Sequence, residues 1–192
     1  MIRKLYDWTM GLAESRYALL ALALVSFAES SVFPIPPDIL MIPMILAAPR
    51  RAWLIAGVCT LASVLGGLFG YYIGYALFES VGRPVLEFYG KERYFDEFAL
   101  RYNEFGAWAV LFAGVTPFPF KVITILSGST GLSLPIFFVA SIVARALRFF
   151  LVAALLWKFG APIRDFIERR LGILFTLFLL LLFGGFFAVK YL

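Results

Sequence analysis

Five ionisable side chains stand inside stretches that are otherwise oily enough for a bilayer: Glu29, Asp38, Lys121, Arg145 and Arg148. Such groups cost several kcal/mol each in a membrane, so they tend to be kept for a function. Two acids and three bases could exchange a proton for an anion. A carboxylate can carry the proton, and a guanidinium fork fits two phosphate oxygens. Each residue also has a plain structural role available. Glu29 ends an apolar arm, where a hydrated helix-end carboxylate would suffice. Asp38 follows Pro36-Pro37, prolines suited to a first helical turn, and a carboxylate there is favoured by the helix dipole. Lys121 sits in the first turn after Pro119, where a cation opposes the dipole. It makes sense if those free backbone donors await an anion, or if it snorkels to the headgroups. Arg145 and Arg148 share a helix face and could instead pair with Glu29 or Asp38, locking the chain's halves together.

The elements that must position these groups follow from the apolar pattern. A spanning helix needs about 20 apolar residues. Tyr17 to Ala28 and Ile39 to Ala48 are too short, and Pro34, Pro36 and Pro37 separate them. Proline breaks helices by ring clash and by its missing donor. The expectation is a re-entrant hairpin, followed by a full span over Ala52 to Phe78. Residues 79–104 form a polar connection carrying an amphipathic surface helix. The pattern then repeats: a short arm from Phe105, a break at Pro117-Phe118-Pro119, a second short arm to Ser127, and a span from Leu134 to Trp157. Short, proline-interrupted segments at matching places in two halves point to inverted repeats around a site. Gly66, Gly70 and Gly74 recur every four residues and read as a helix-packing face.

The fold expected is therefore an all-α integral membrane protein with two pseudo-symmetric inverted repeats, each a broken hairpin plus a transmembrane helix. It forms a single domain. Residues 1–16 are an interfacial amphipathic N-terminus, 17–78 the first repeat, 79–104 the connection, and 105–157 the second repeat. Residues 158–192 are a basic loop and a last transmembrane helix. Basic residues at 3, 4, 16, 50 and 51, and at 158, 164, 169 and 170, place the N-terminus in the cytoplasm by the positive-inside rule.

Composition narrows the function. The chain has 192 residues, is 62% hydrophobic and carries a net charge of +5, with a mean hydropathy of +0.93. Soluble domains are roughly 45–50% apolar. No basic run with interleaved aromatics marks a nucleic-acid partner. There is no histidine, and Cys59 is the sole cysteine. The commonest general base and metal ligand are thus missing, and an intrachain disulfide is impossible. No catalytic residue, metal or cofactor is expected. A membrane enzyme ranks last among the readings.

The segments Phe27-Ala28-Glu29, Pro34-Ile35-Pro36-Pro37-Asp38, Gly66 to Gly74 and Thr116-Pro117-Phe118-Pro119-Phe120-Lys121 resemble the DedA family. Its members are also called SNARE-associated or VTT-domain proteins. The resemblance covers roughly residues 20 to 160. Thr116 to Lys121, Ser127-Gly128 and Arg145 to Phe149 are similar to its YqaA-like branch. The resemblance implies two facing re-entrant hairpins, lipid translocation at the bacterial plasma membrane and a link to the proton gradient. Bacterial members are associated with recycling polyprenyl-phosphate carriers, and eukaryotic relatives scramble phospholipids. Glu29 and Asp38 match the family's essential acidic pair. Many members carry two arginines around the second proline motif. Here Gly114 stands where the first would fall, and Lys121 lies close to the second.

The function expected is a flippase for a phosphate-headed lipid, undecaprenyl phosphate being the candidate, with protons as the coupling ion. Lys121, Arg145 and Arg148 would hold the phosphate while Glu29 and Asp38 compete for them. The alternatives are a small-ion or osmolyte channel or exchanger, and a non-transporting membrane scaffold. A scaffold would tolerate swapped charges such as Glu29→Arg with Arg148→Glu. The glycine face would also serve a homo-oligomer.

Overall fold

The computed structural model describes residues 17–33, 35–116, 118–160 and 162. The expected amphipathic N-terminus (1–16), the last span (171–189), Pro34 and Pro117 lie outside the described residues. Among the described residues every regular element is helical. These are α1 (Ala18–Ser31), α2 (Asp38–Ala47), α3 (Ala52–Leu77), α4 (Arg83–Phe88), α5 (Glu92–Val115), α6 (Phe120–Ser129) and α7 (Leu134–Gly160).

Length separates two kinds of helix. At 1.5 Å per residue, α3 and α7 run about 40 Å, enough to cross a hydrocarbon core of about 30 Å. Helices α1, α2 and α6 reach only about 15–21 Å. The chain leaves helical form after Ser31 and resumes it at Asp38, with Pro37 as the cap of α2. It breaks again at Thr116, whose backbone is extended, and restarts at Phe120 behind Pro119. Helix α2 keeps Pro43 in its interior; that ring has no N–H to give the Ile39 carbonyl.

Two boundaries differ from the sequence expectation. Helix α3 does not stop at Phe78. It continues through a wider π-type turn at Phe78–Gly82 into α4. Helix α5 runs unbroken from the charged connection into the apolar arm, with no boundary at 104/105. No proline stands there, and Gly106 is covered by the Leu132 side chain. The tight turn falls instead at Gly90, in the left-handed region at φ 60°. The corresponding glycine closing α6 is Gly131 at φ 66°. There the Leu132 N–H donates to the Ser127 carbonyl at 2.9 Å, a Schellman closure.

Helix α3 is the spine. It packs along α1 on one side and α6 on the other. Its small residues permit backbone-to-backbone approach. A Cβ at Gly66 would overlap the Phe27 carbonyl, one at Gly74 the Ile125 carbonyl, and one at Gly70 the Thr124 hydroxyl. The stripe thus meets α1 at Gly66, α6 at Gly74 and both at Gly70. In return, Gly128 of α6 abuts the Tyr71 carbonyl.

Two apolar clusters lie at opposite ends of this assembly. One joins Leu22, Met41, Ile45, Ile55 and Cys59 to Phe149 and Ala153. The other joins Val110, Phe120, Leu132 and Phe137, with Leu68 and Tyr71 beside them. Early α3 meets late α7 and late α3 meets early α7, so the two long helices are antiparallel. The outward faces are apolar as well: Leu61, Leu65, Tyr72, Trp108, Phe112, Leu147 and Leu151 are all exposed. A water-soluble domain rarely exposes apolar patches on that scale. Trp53 and Trp157, at the same end of α3 and α7, are half exposed and pack ring to ring at 6.2 Å, as in an interfacial aromatic belt.

Cys59 is fully buried, and its backbone carbonyl accepts from the Ser26 hydroxyl at 2.8 Å. Maleimide labelling of the native protein is expected to be negligible, rising to one thiol per chain in denaturing detergent. Rapid native labelling would contradict the α1–α3 packing.

Candidate functional site

Between the two apolar clusters lies a polar layer. Ser63 stands near the middle of α3 and Arg145 near the middle of α7. Each is about 16–23 Å from either end of its helix. Arg145 is fully enclosed, its side chain 1% exposed. One terminal nitrogen donates to Glu29 Oε2 at 2.8 Å, and Nε donates to Ser63 Oγ at 2.5 Å. Its guanidinium carbon lies 4.8 Å from the ring centre of Phe120 and 4.6 Å from that of Phe149. Such aromatic faces attract a desolvated cation. The hydroxyls of Ser30 and Ser63 are 2.7 Å apart, and Ser30 donates to Glu29 Oε2 at 3.1 Å.

The second pair is more open. Arg148 donates from Nη2 to Asp38 Oδ2 at 2.7 Å, and the two side chains are 20% and 21% exposed. Its Nη1 donates to the Thr116 carbonyl at 2.8 Å. Asp38 is the first residue of α2, where the dipole favours a carboxylate. Thr116 caps the C-terminal end of α5, where the dipole favours a cation. One guanidinium therefore joins the start of α2 to the end of α5, across both breaks.

Lys121 lies beside this junction. Its Nζ is 3.5 Å from the Val32 carbonyl, too long for a strong hydrogen bond. Its own dipole is unfavourable, but Val32 caps the C-terminal end of α1, where a cation is welcome. Thr124 adds a crossing between the same segments: its hydroxyl lies 3.1 Å from the Ser30 carbonyl and shares its one hydrogen with the Lys121 carbonyl at 2.9 Å.

A family model for the VTT domain matches residues 35–158. The chain belongs to the VTT-domain (DedA) family. An uncharacterised protein of Haemophilus influenzae is 36% identical over 168 residues, spanning 85% of this chain and 87% of the relative. An uncharacterised protein of Histophilus somni matches at the same identity and coverage. No solved structure matches. The family and the two long apolar helices mark this VTT-domain chain as a membrane protein with a transporter-like role.

Partners among the charges come out differently from the swap considered above: Glu29 faces Arg145, and Arg148 faces Asp38. In this VTT-domain chain the absent arginine at Gly114 has a steric counterpart. A Cβ at Gly114 would meet the Ala144 methyl at 2.6 Å, so α5 and α7 touch there, next to Arg145. The residues that sequence reading passed over are Ser30, Ser63, Thr124 and the Thr116 carbonyl. A signal existed for Ser63. Ser63 and Cys59 stand three and seven residues before Gly66, on the helix face that Gly66, Gly70 and Gly74 occupy.

Proposed function

We propose that the chain is a proton-linked flippase for a phosphate-headed lipid in the bacterial plasma membrane, with undecaprenyl phosphate the candidate substrate. The observation that carries this reading is Arg148, held between Asp38 and the Thr116 carbonyl where two broken helices meet. A phosphate offers the oxygens that would replace both acceptors. Arg148 and Lys121 receive the headgroup, and the acyl or prenyl tails stay in the bilayer. Arg145 joins them only after Glu29 takes a proton, because until then Glu29 and Ser63 hold two of its nitrogens and its charge is matched. Loading and protonation are linked in this way, since a ligand shifts a conformational equilibrium only through differential affinity.

On this reading α1–α2 and the apolar part of α5 with α6 are re-entrant hairpins that enter from opposite faces. Residues 17–78 and 105–157 are inverted repeats of one domain, and the N-terminus is cytoplasmic. The short lengths of α1, α2 and α6, the mid-depth polar layer and the antiparallel α3 and α7 support this arrangement.

The test is reconstitution with a panel of fluorescent lipid phosphates, with and without a pH gradient, beside an ion-flux dye. Lipid flux that follows the gradient supports the proposal; ion flux without lipid flux would favour a channel or exchanger. Glu29→Gln should transport without pH dependence. Unchanged pH dependence in that variant would remove Glu29 as the proton carrier.

A further inference from the structure

Ser30, Ser63, Glu29 and Arg145 close a ring of hydrogen bonds, and its two charged members fix the direction of every bond. A hydroxyl has one hydrogen. Ser30 gives its hydrogen to the Glu29 carboxylate. The bond between the serines must then be donated by Ser63. Ser63 in turn accepts from Arg145 Nε, which can only donate. Both serines are fully buried, so water cannot substitute for either.

A proton on Glu29 changes this order. The carboxylic acid becomes a donor to Ser30, and Ser30 is freed to donate to Ser63. Ser63, its two lone pairs taken by Ser30 and Arg145 Nε, then holds a hydrogen that neither of them can accept, and Arg145 loses its charged partner at the same time. We propose that Ser30 and Ser63 are positioning residues, a two-hydroxyl relay that ties the hydrogen-bond order beside Arg145 to the charge of Glu29. The relay rests on the flippase reading for its purpose but not for its chemistry. Other charged or titratable groups around it are Arg148 on α7, Asp38 on α2, Cys59 on α3 and Lys121 on α6. The serine substitutions below leave all of them in place.

The experiment follows the infrared carbonyl band of protonated Glu29 against pH in liposome-embedded protein, the band being assigned by its loss in Glu29→Gln. Ser30→Ala and Ser63→Ala each remove support for the charged form while the acid form loses little. The midpoint should rise by about one pH unit in each. The double variant should rise no further than either single, because both act through one link. Ser63→Thr keeps the hydroxyl and should keep the wild-type midpoint. Gel filtration in detergent checks that each variant is folded. An unmoved midpoint in both single variants, additive shifts in the double, or the lack of any Glu29 band would overturn the relay. Lipid flux measured on the same liposomes separates the two ideas. Shifted bands without flux would keep the relay and sink the flippase. Flux with unshifted bands would do the reverse.

Discussion

Arg145→Ala is expected to remove about 3–5 kcal/mol of folding stability, the cost typical of breaking a buried ion pair. Three losses combine. Glu29 is left as a charge with a side chain only 13% exposed. The aromatic faces of Phe120 and Phe149 lose the cation they enclose. Ser63 loses the donor that orders it. Arg148→Ala should cost far less, about 1 kcal/mol, because that pair is partly solvated and Asp38 keeps the support of its helix N-terminus. Denaturant unfolding in mixed micelles measures both. The double variant Glu29→Leu with Arg145→Met should recover most of the lost stability, since a buried pair replaced by apolar bulk is often neutral. It should not recover proton-linked transport. Equal costs for the two arginines would mean that their burial is not as different as the structure shows.

That contrast bears on how much could be read beforehand. Charges in an oily chain announce themselves, and all five were visible as residue types. Their pairing was not. Glu29 and Arg145 are 116 positions apart and Asp38 and Arg148 are 110 apart, and no local period encodes such distances. The helical breaks were legible because proline acts locally, through its own ring and missing donor. The same rule gives no warning that Pro43 sits inside α2. A helix held by Met41, Met44 and Ile45 in the first apolar cluster can absorb one lost bond. The continuity of α5 was hidden for a related reason. Polarity changes at 104/105, but backbone geometry does not, and a change of composition alone does not end a helix. The serines were hidden because a hydroxyl in an apolar helix usually bonds its own preceding turn. Ser80, Ser129 and Thr60 do so. Ser30 and Ser63 instead point across a helix interface, which only the packing of α1 on α3 determines.

That packing is open to a direct test at its closest points. Gly74→Ala and Gly128→Ala are each expected to cost about 3 kcal/mol, the upper end of overpacking penalties. In both cases the added carbon meets a backbone carbonyl, of Ile125 and Tyr71 respectively. A side chain could rotate away, but a carbonyl moves only if α6 moves away from α3. That separation would also disturb the crossing of Thr124 to the Ser30 carbonyl, one turn from the polar layer. Alanine gains up to about 1 kcal/mol over glycine in helix propensity, which offsets only part of the cost. Gly57→Ala supplies the control within the same helix. Nothing lies within 4 Å of its added carbon, so propensity alone should act and the variant should gain about 0.5–1 kcal/mol. Thermal unfolding in one detergent compares the three. If Gly57→Ala and Gly74→Ala unfold alike, α6 does not meet the α3 spine at Gly74, and the charges beside it lose that part of their scaffold.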